Sequence, residues 1–399
     1  MLINPRNDIS EGDNMIYRVV VSLLTLCVSL GVFAANKSIT PPGNGSKESP
    51  YLISKMEHLV WMQENVEHSY RKYYKLTCDL DASETKSWNN GKGFIPIGME
   101  TPSNKRFREK GKNYPPFLGH FDGGGHSISN LYIRRPEEDY ASFFGKVGAD
   151  WMPPPSGTQV LGKFTREQAQ SLMNRDNVYV IKDLALLNVD FTIGIYGAGL
   201  AGKLTDCQVS GCYVSGTITA NKAISGLTTF SLRSYFSECA SNINYENRFC
   251  GVAGFTASAD QSYYCNCYSS GKFKLPESSI DPKHIGEVRS KQGGWSFNGH
   301  HIWTMTGLGN GRGLFENCYS NMKLQGSRRS EKVVPMFENE ENCYCSADNF
   351  GVSKEPTKGI VSNENMRKKE TFKGWDFENI WEMKSGRKAP SLRKLEKWM

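Results

Sequence analysis

The chain predicts an all-β solenoid, a right-handed parallel β-helix with an N-terminal capping helix and extruded loops. Three observations predict it. First, a short pattern returns along the 399 residues: an apolar residue, any residue, an Asn or acid, then Leu or Cys, often followed by Tyr. It reads Ile128-Ser129-Asn130-Leu131-Tyr132, Ile181-Lys182-Asp183-Leu184, Leu204-Thr205-Asp206-Cys207, Phe236-Ser237-Glu238-Cys239, Tyr264-Cys265-Asn266-Cys267-Tyr268 and Phe315-Glu316-Asn317-Cys318-Tyr319, and ends as Asn342-Cys343-Tyr344. Second, the gaps between the Leu/Cys positions from Leu184 onward are 23, 32, 28, 51 and 25 residues. Irregular spacing around a period in the twenties, with one gap near double, marks a solenoid with loop insertions. Third, the units are rich in Gly, Ser, Thr, Val, Ile and Tyr, which favours strand over helix.

Taken in order, residues 1–34 read as an export signal whose true start is Met15. Arg18 precedes the apolar run Val19 to Phe33, and Val32-Phe33-Ala34 suits cleavage before Ala35. That run is too short to read as a membrane span, and no other long apolar segment follows. Residues 35–50 read as a flexible linker. Residues 51–116 supply the N-terminal cap and first strands: Ser54 with Glu57 forms a capping box ahead of a helix from about Lys55 to Glu67, and 81–116 hold a polar insertion. Covering an open solenoid end hides an edge strand that would otherwise pair with other chains.

Residues 117–350 carry the β-helix repeats, with insertions at 149–176 and 272–311. The apolar lead residues (Ile128, Ile181, Leu204, Phe236, Tyr264, Phe315) should point inward, as should the Leu/Cys three positions later and the apolar residues Ile133, Leu186 and Val209. An odd step between two inward positions demands a bend, because side chains alternate along a straight strand. Asn and Asp suit that bend because they tolerate left-handed backbone. Stacked Asn residues could hydrogen-bond along the axis. Gly-rich pieces such as Gly199-Leu200-Ala201-Gly202 read as another corner. Residues 351–399 read as a C-terminal cap, closed by Trp375, Phe377 and Trp381, with a basic tail.

Several stretches resemble the GLUG-motif repeat family of bacterial secreted and surface proteins. They are Gly199-Leu200-Ala201-Gly202 with Leu204-Thr205-Asp206-Cys207 and Val214-Ser215-Gly216-Thr217-Ile218; Phe117-Leu118-Gly119-His120-Phe121-Asp122-Gly123-Gly124-Gly125-His126; and Gly374-Trp375-Asp376-Phe377. The resemblance covers about residues 50–392 and implies a β-helix in an adhesin-like protein. The His-Glu-x-x-His zinc motif of peptidases found beside such repeats is absent from the sequence, so peptidase activity is not carried over.

Net charge is +7, and removing residues 1–34 takes away two basic and three acidic residues, leaving +8. This mild excess, in an exported chain, argues against nucleic acid and fits a solvated surface, with attraction to anionic glycans as the sharper reading. Of eleven cysteines, Cys27 leaves with the signal. The ten that remain are an even count, which in an exported protein suggests disulfides. However, Cys207, Cys239, Cys267, Cys318 and Cys343 fall in one inward column, where free thiols pack as small hydrophobes. Mostly buried thiols are expected, with one or two strained or loop disulfides left open. Cys265-x-Cys267 and Cys343-x-Cys345 lack the two-residue spacing of structural zinc sites. No metal or cofactor is expected.

Glycoside cleavage needs two carboxyls about 5–9.5 Å apart, a distance that stacked coils supply without selection. Asp122, Asp183 and Asp206 are therefore weak catalytic candidates, better read as turn and bend residues. Binding has stronger support. Tyr268, Tyr319 and Tyr344 follow the Leu/Cys column and should form an outward aromatic ladder for sugar rings or a partner surface, with Trp295 and Trp303 as a rim. The expectation is a non-catalytic, secreted or cell-surface protein, the periplasm being the other destination, that binds a glycan or a cell-surface partner. Alternatives are a polysaccharide-degrading β-helix enzyme and a purely structural surface component.

Overall fold

Short stretches in which apolar and polar residues alternate, broken by Asn, Asp and Gly, produce strands too narrow to bury a face alone. They do so by stacking. A computed structural model describes residues 37–99, 115–149, 164–194, 196–220, 223–247, 252–274, 304–306, 309–311, 313–325, 332–334, 340–350 and 359–399. The chain divides into residues 1–37 and 38–399, and the second unit carries the fold. The expected export signal lies outside the described residues.

One coil comprises four strands, Tyr196–Ala198, Ala201–Thr205, Cys207–Ser210 and Tyr213–Ala220. The next repeats them as Ala223–Ser225, Thr228–Leu232, Tyr235–Ser237 and Ala240–Asn247. Every strand pairs in parallel with its counterpart one coil away, so four faces run the length of a parallel β-helix. The first and second faces are five-stranded sheets, and the third and fourth belong to one sheet of 17 strands. On the first face Gly197, Ile224, Val252, Met305 and Val333 align, in steps of 27, 28, 53 and 28 residues. The long step holds the second insertion. Its bounds are narrower than 272–311, because Tyr268–Lys274, Thr304–Thr306 and Gly309–Gly311 pair as ordinary coil strands.

The positions expected to point inward are buried. Ile128, Ile181, Leu204, Phe236, Tyr264 and Phe315 are buried, as are Leu131, Leu184, Cys239, Cys267, Cys318 and Cys343 and also Ile133, Leu186 and Val209. Phe236, Tyr264 and Phe315 stack along the axis with ring centroids 4.4 and 4.5 Å apart. The bends are left-handed, with φ of 53° at Asp183, 50° at Glu238 and 52° at Asn266 and Asn317. The Asn stack forms at another corner: Asn188 Nδ2 donates to Asn130 Oδ1 at 2.7 Å, and Asn130 Nδ2 to Asp81 Oδ1 at 3.0 Å.

One assignment changes. The repeated pattern marks more than one corner. Ile128 aligns with Leu186, which sets Asn130 beside Asn188. Asp206 aligns with Arg233 and Gln261 at the corner between the second and third faces. Cys207 therefore belongs with Ser234 and Ser262. The thiol column between the third and fourth faces is Cys212, Cys239, Cys267, Cys318 and Cys343, with Leu184 before it. Both columns use the same bonds. Cys318 Sγ donates to Glu316 O (3.2 Å) and accepts from Cys267 N (3.3 Å) on the preceding coil. Ser234 Oγ donates to Leu232 O (2.9 Å) and accepts from Cys207 N (3.1 Å). The nine described cysteines are all free thiols.

The Gly-rich corner has a different cause from a left-handed turn. A Cβ on Gly199 would sit 2.3 Å from Val214 Cγ1, and one on Gly226 would sit 2.3 Å from Gly254 O. Glycine is needed there for close approach across the coil.

Helix α1 (Met56–Glu64) packs Met56, Leu59 and Met62 into the first end of the core. The capping box at Ser54 does not form. The helix starts one residue later, Lys55 is its N-cap without a side-chain bond, and Ser54 N donates to His58 Nδ1 at 3.2 Å. Residues 38–50 are likewise folded rather than a free linker: Ile39 N bonds Glu57 O, Leu52 N bonds Pro42 O and Tyr73 N bonds Gly45 O. Their Pro and Gly residues supply turns, with φ of 106° at Gly43 and 75° at Gly45. In the first insertion, helix α2 (Arg166–Met173) begins with a capping box from Thr165 and Gln168. It does not project into solvent. Phe164, Ala169 and Leu172 pack against Tyr263 and Leu314 on the third face.

The C-terminal segment is the largest departure. Trp375, Phe377 and Trp381 lie along the side of the solenoid rather than across its end. Trp375 Nε1 bonds Asn342 O (2.9 Å), Trp381 Nε1 bonds Asn266 Oδ1 (3.2 Å), Lys394 Nζ meets Asp183 Oδ1 (2.8 Å) and Lys397 Nζ bonds Gly125 O (2.5 Å). The strap thus runs back from the last coils to the first, along the corner between the third and fourth faces. Apolar residues outside the coil drive this placement, since a row of Tyr side chains needs cover and the strap supplies Trp and Phe.

Candidate functional site

The residue after each corner-column Leu/Cys points out of the coil, giving the column Ala185, Tyr213, Ala240, Tyr268, Tyr319 and Tyr344 on the fourth face. The expected exposed ladder is corrected here. Tyr268 and Tyr319 stack at 4.9 Å with rings 6° from parallel, but they are only 4% and 3% exposed. Trp375, Trp381, Phe372 and Leu392 of the strap enclose them in a second core. Tyr344 is half-buried against Phe372, 5.0 Å between centroids. Outward from the coil is not outward to water when a later segment covers the face. Burial raises the Tyr268 and Tyr319 hydroxyls well above the ordinary tyrosine range, and Tyr319 Oη donates to Pro390 O at 2.5 Å.

What the strap leaves open is a cleft of about 440 Å³ between its end and the fourth face. Its floor is the next outward column, Ser215, Asn242, Ser270 and Asn321, and its walls include the edges of Tyr213, Tyr268 and Tyr319 with Arg387, Lys388 and Trp398. Two residues further along the strands lies Thr217, Asn244, Lys272 and Lys323, and beyond it Thr219 and Glu246. Asn242, Asn244, Glu246, Lys272 and Lys323 are exposed. Parallel pairing repeats these amides and hydroxyls at about 4.8 Å. The outcome is a flat polar grid bordered by aromatic edges. Sequence reasoning missed it. The signal was present as Ser, Asn, Thr and Lys at every second residue after each Tyr, which reads by itself as an ordinary solvated face.

The three candidate acids are held by basic side chains. Asp122 Oδ1 accepts from Gly124 N at 2.8 Å, the expected turn bond, and Oδ2 pairs with Lys182 at 3.2 Å. Asp183 pairs with Lys394 of the strap. Asp206 accepts from Arg175 Nη1 (2.7 Å), Arg233 Nε (2.9 Å) and Arg233 Nη2 (2.7 Å). Burial works to raise its carboxyl, but the bonds and charges of Arg233 and Arg175 prevail and hold it below the usual range. Asp122 and Asp183 lie near one corner on adjacent strands, whereas Asp206 stands at another. A smaller cleft, about 220 Å³ between α2 and that corner, is lined by Phe164, Leu172, Arg175, Arg233 and Gln261. Trp295 and Trp303 lie outside the described residues. Among the described residues, no group of three or more His, Cys, Asp or Glu side chains could hold a metal, and no helix is long and apolar enough to cross a membrane.

The fold defines a class, the parallel β-helix proteins. One solved structure agrees with the fold. A candidate immunoglobulin A1 protease from Bacteroides ovatus, solved as a crystal structure, superposes with a TM-score of 0.55 over 88% of this chain and 94% of that one, at 15% identity. By sequence, the chain is similar to halomucin of Haloquadratum walsbyi, 39% identical over 205 residues, 51% of this chain. It is also similar to a protein of Evansella cellulosilytica named as a candidate Gly-rich membrane protein, 28% identical over 130 residues, 31% of this chain. The matches span 2% and 13% of those two proteins' own lengths. No protein-family model matches the chain.

Proposed function

We propose that this chain is the β-helix part of an exported surface protein that binds polysaccharide without cleaving it, on the open fourth face and the cleft beside it. One observation carries the reading: the Ser215–Asn242–Ser270–Asn321 column forms the cleft floor against the edges of Tyr268 and Tyr319. Sugar hydroxyls need donors and acceptors in register, and amphipathic aromatic edges suit their mixed faces. The names of the relatives, halomucin and a Gly-rich membrane protein, support a place at the cell surface, and the GLUG-like repeats belong to the same reading. The ion pairs on Asp122, Asp183 and Asp206 weigh against a glycosidase using them, because each carboxylate is already engaged.

The test is electrophoresis of the purified protein through gels containing a panel of polysaccharides, each gel then stained for intact polymer. Retarded migration that Asn242→Ala/Asn321→Ala abolishes is the expected result. A cleared zone around the band would show cleavage and overturn the non-catalytic reading. Unchanged migration on every polymer would favour a structural or protein-adhesive role. Export is tested separately, by expressing the chain with residues 1–34 and sequencing the N-terminus of the secreted product, which should begin at Ala35.

A further inference from the structure

The open face is not uniform in charge. Its early coils offer Asp190 and Glu246, but its last two complete coils place Lys272 directly opposite Lys323. Each lysine stands two residues beyond a cleft-floor residue, Ser270 or Asn321, on the same side of its strand. It therefore lies about 7 Å from the floor. Lys388 is exposed on the opposite wall. Among the described residues none of these three lysines has a carboxylate within ion-pair distance. Glu396 of the strap is already engaged, held by Arg387 at 2.9 Å and by Lys384 at 2.7 Å. Glu246 aligns with Lys274 rather than with Lys272.

Two like charges directly opposite on neighbouring strands repel and cost stability. Together with Lys388 across the cleft they form a cationic frame around a floor of hydroxyls and amides. We infer that the site takes an anionic polysaccharide, one that carries a carboxylate on its sugar rings, with Lys272, Lys323 and Lys388 binding the carboxylates and Asn242, Ser270 and Asn321 the hydroxyls. The inference rests on the proposed polysaccharide reading and narrows it to one ligand class.

The probe is alginate, a polyuronate, with neutral dextran alongside, in gel electrophoresis at low and at physiological salt. Three proteins are compared: the wild type, Lys272→Gln/Lys323→Gln, and a charge-matched control, Lys47→Gln/Lys75→Gln, whose lysines are exposed at the other end of the solenoid. Alginate should retard the wild type, more strongly at low salt. The Lys272→Gln/Lys323→Gln variant should need roughly fivefold more alginate for the same retardation, and the control should match the wild type. Equal loss in both variants would overturn the site and leave only net charge. Dextran retarding the wild type as strongly as alginate, with no effect of the lysines, would overturn the anionic class while keeping the polysaccharide reading. No retardation by either would overturn both.

Discussion

Trp381 Nε1 donates to Asn266 Oδ1 at 3.2 Å, a bond between residues 115 apart that fastens the strap to a left-handed corner of the solenoid. Trp381 is fully buried, and its ring lies 4.2 Å from Trp375 and 5.8 Å from Tyr319. Trp381→Ala should cost about 3–5 kcal/mol, the range for emptying a large aromatic from a core. Trp381→Phe should cost less, because packing is kept while Asn266 loses a donor, roughly 1–2 kcal/mol. Urea unfolding of the three proteins checks the order. The alanine variant should also make Tyr268 and Tyr319 available to iodination.

Asn317 holds φ at 52°, and on an earlier coil the same corner is Gly211 with φ 60°. Left-handed backbone costs most residues about 1–2 kcal/mol. Asn317→Gly should therefore be near neutral and Asn317→Val clearly destabilising, with equilibrium unfolding as the readout. A cost for Gly as large as that for Val would mean that the Asn side chain, not its backbone, is what the corner needs.

These corners show what could be read from residues alone. The Asn and Asp positions, the inward apolar columns and the burial of Leu and Cys follow from local chemistry, so they were legible. Which corner a given pattern marks was not, because the same left-handed bend occurs at several corners with the same signature. The pattern alone therefore puts Cys207 in the column that Cys212 occupies. The Tyr column was legible as pointing away from the coil. Whether water or protein lay beyond it depended on a distant segment that ends at Met399, 131 residues after Tyr268, whose Sδ lies 2.7 Å from Tyr268 Oη. Nothing local encodes that cover.

Cys318 shows how a thiol does a hydroxyl's work. It accepts Cys267 N–H and donates to Glu316 O, as Ser234 does at its own corner. Cys318→Ser should keep both bonds and cost under about 1 kcal/mol, whereas Cys318→Ala leaves a buried N–H unpaired and should cost roughly 1–3 kcal/mol. Burial pushes the Cys318 thiol far up, so it should resist alkylation in the native protein and react on unfolding.

Asp206 gives the fold an acid-sensitive contact. Burial works to raise its carboxyl, yet Arg233 and Arg175 hold it below the ordinary 3.8. A depressed folded value means that its contribution is fully present above the unfolded value and is lost as pH falls through the folded one. Stability should therefore drop on acidification below about pH 4, and Asp206→Asn should remove that part of the drop. At neutral pH the variant should cost about 1–3 kcal/mol for its weakened bonds to the two arginines. Urea midpoints at pH 3, 4 and 7 test both statements.

The C-terminal strap runs back along the side of the β-helix to its first coils, burying the Tyr column and leaving the cleft. Zero-length carbodiimide coupling tests it most directly, because it joins only an amine and a carboxylate in contact. Peptide mapping by mass spectrometry should find a Lys394–Asp183 link, together with the local Lys368–Glu364 pair (2.6 Å) as an internal control. The control link appearing while Lys394 couples instead to Glu341 on the last coil would place the segment across the solenoid's end and contradict the account.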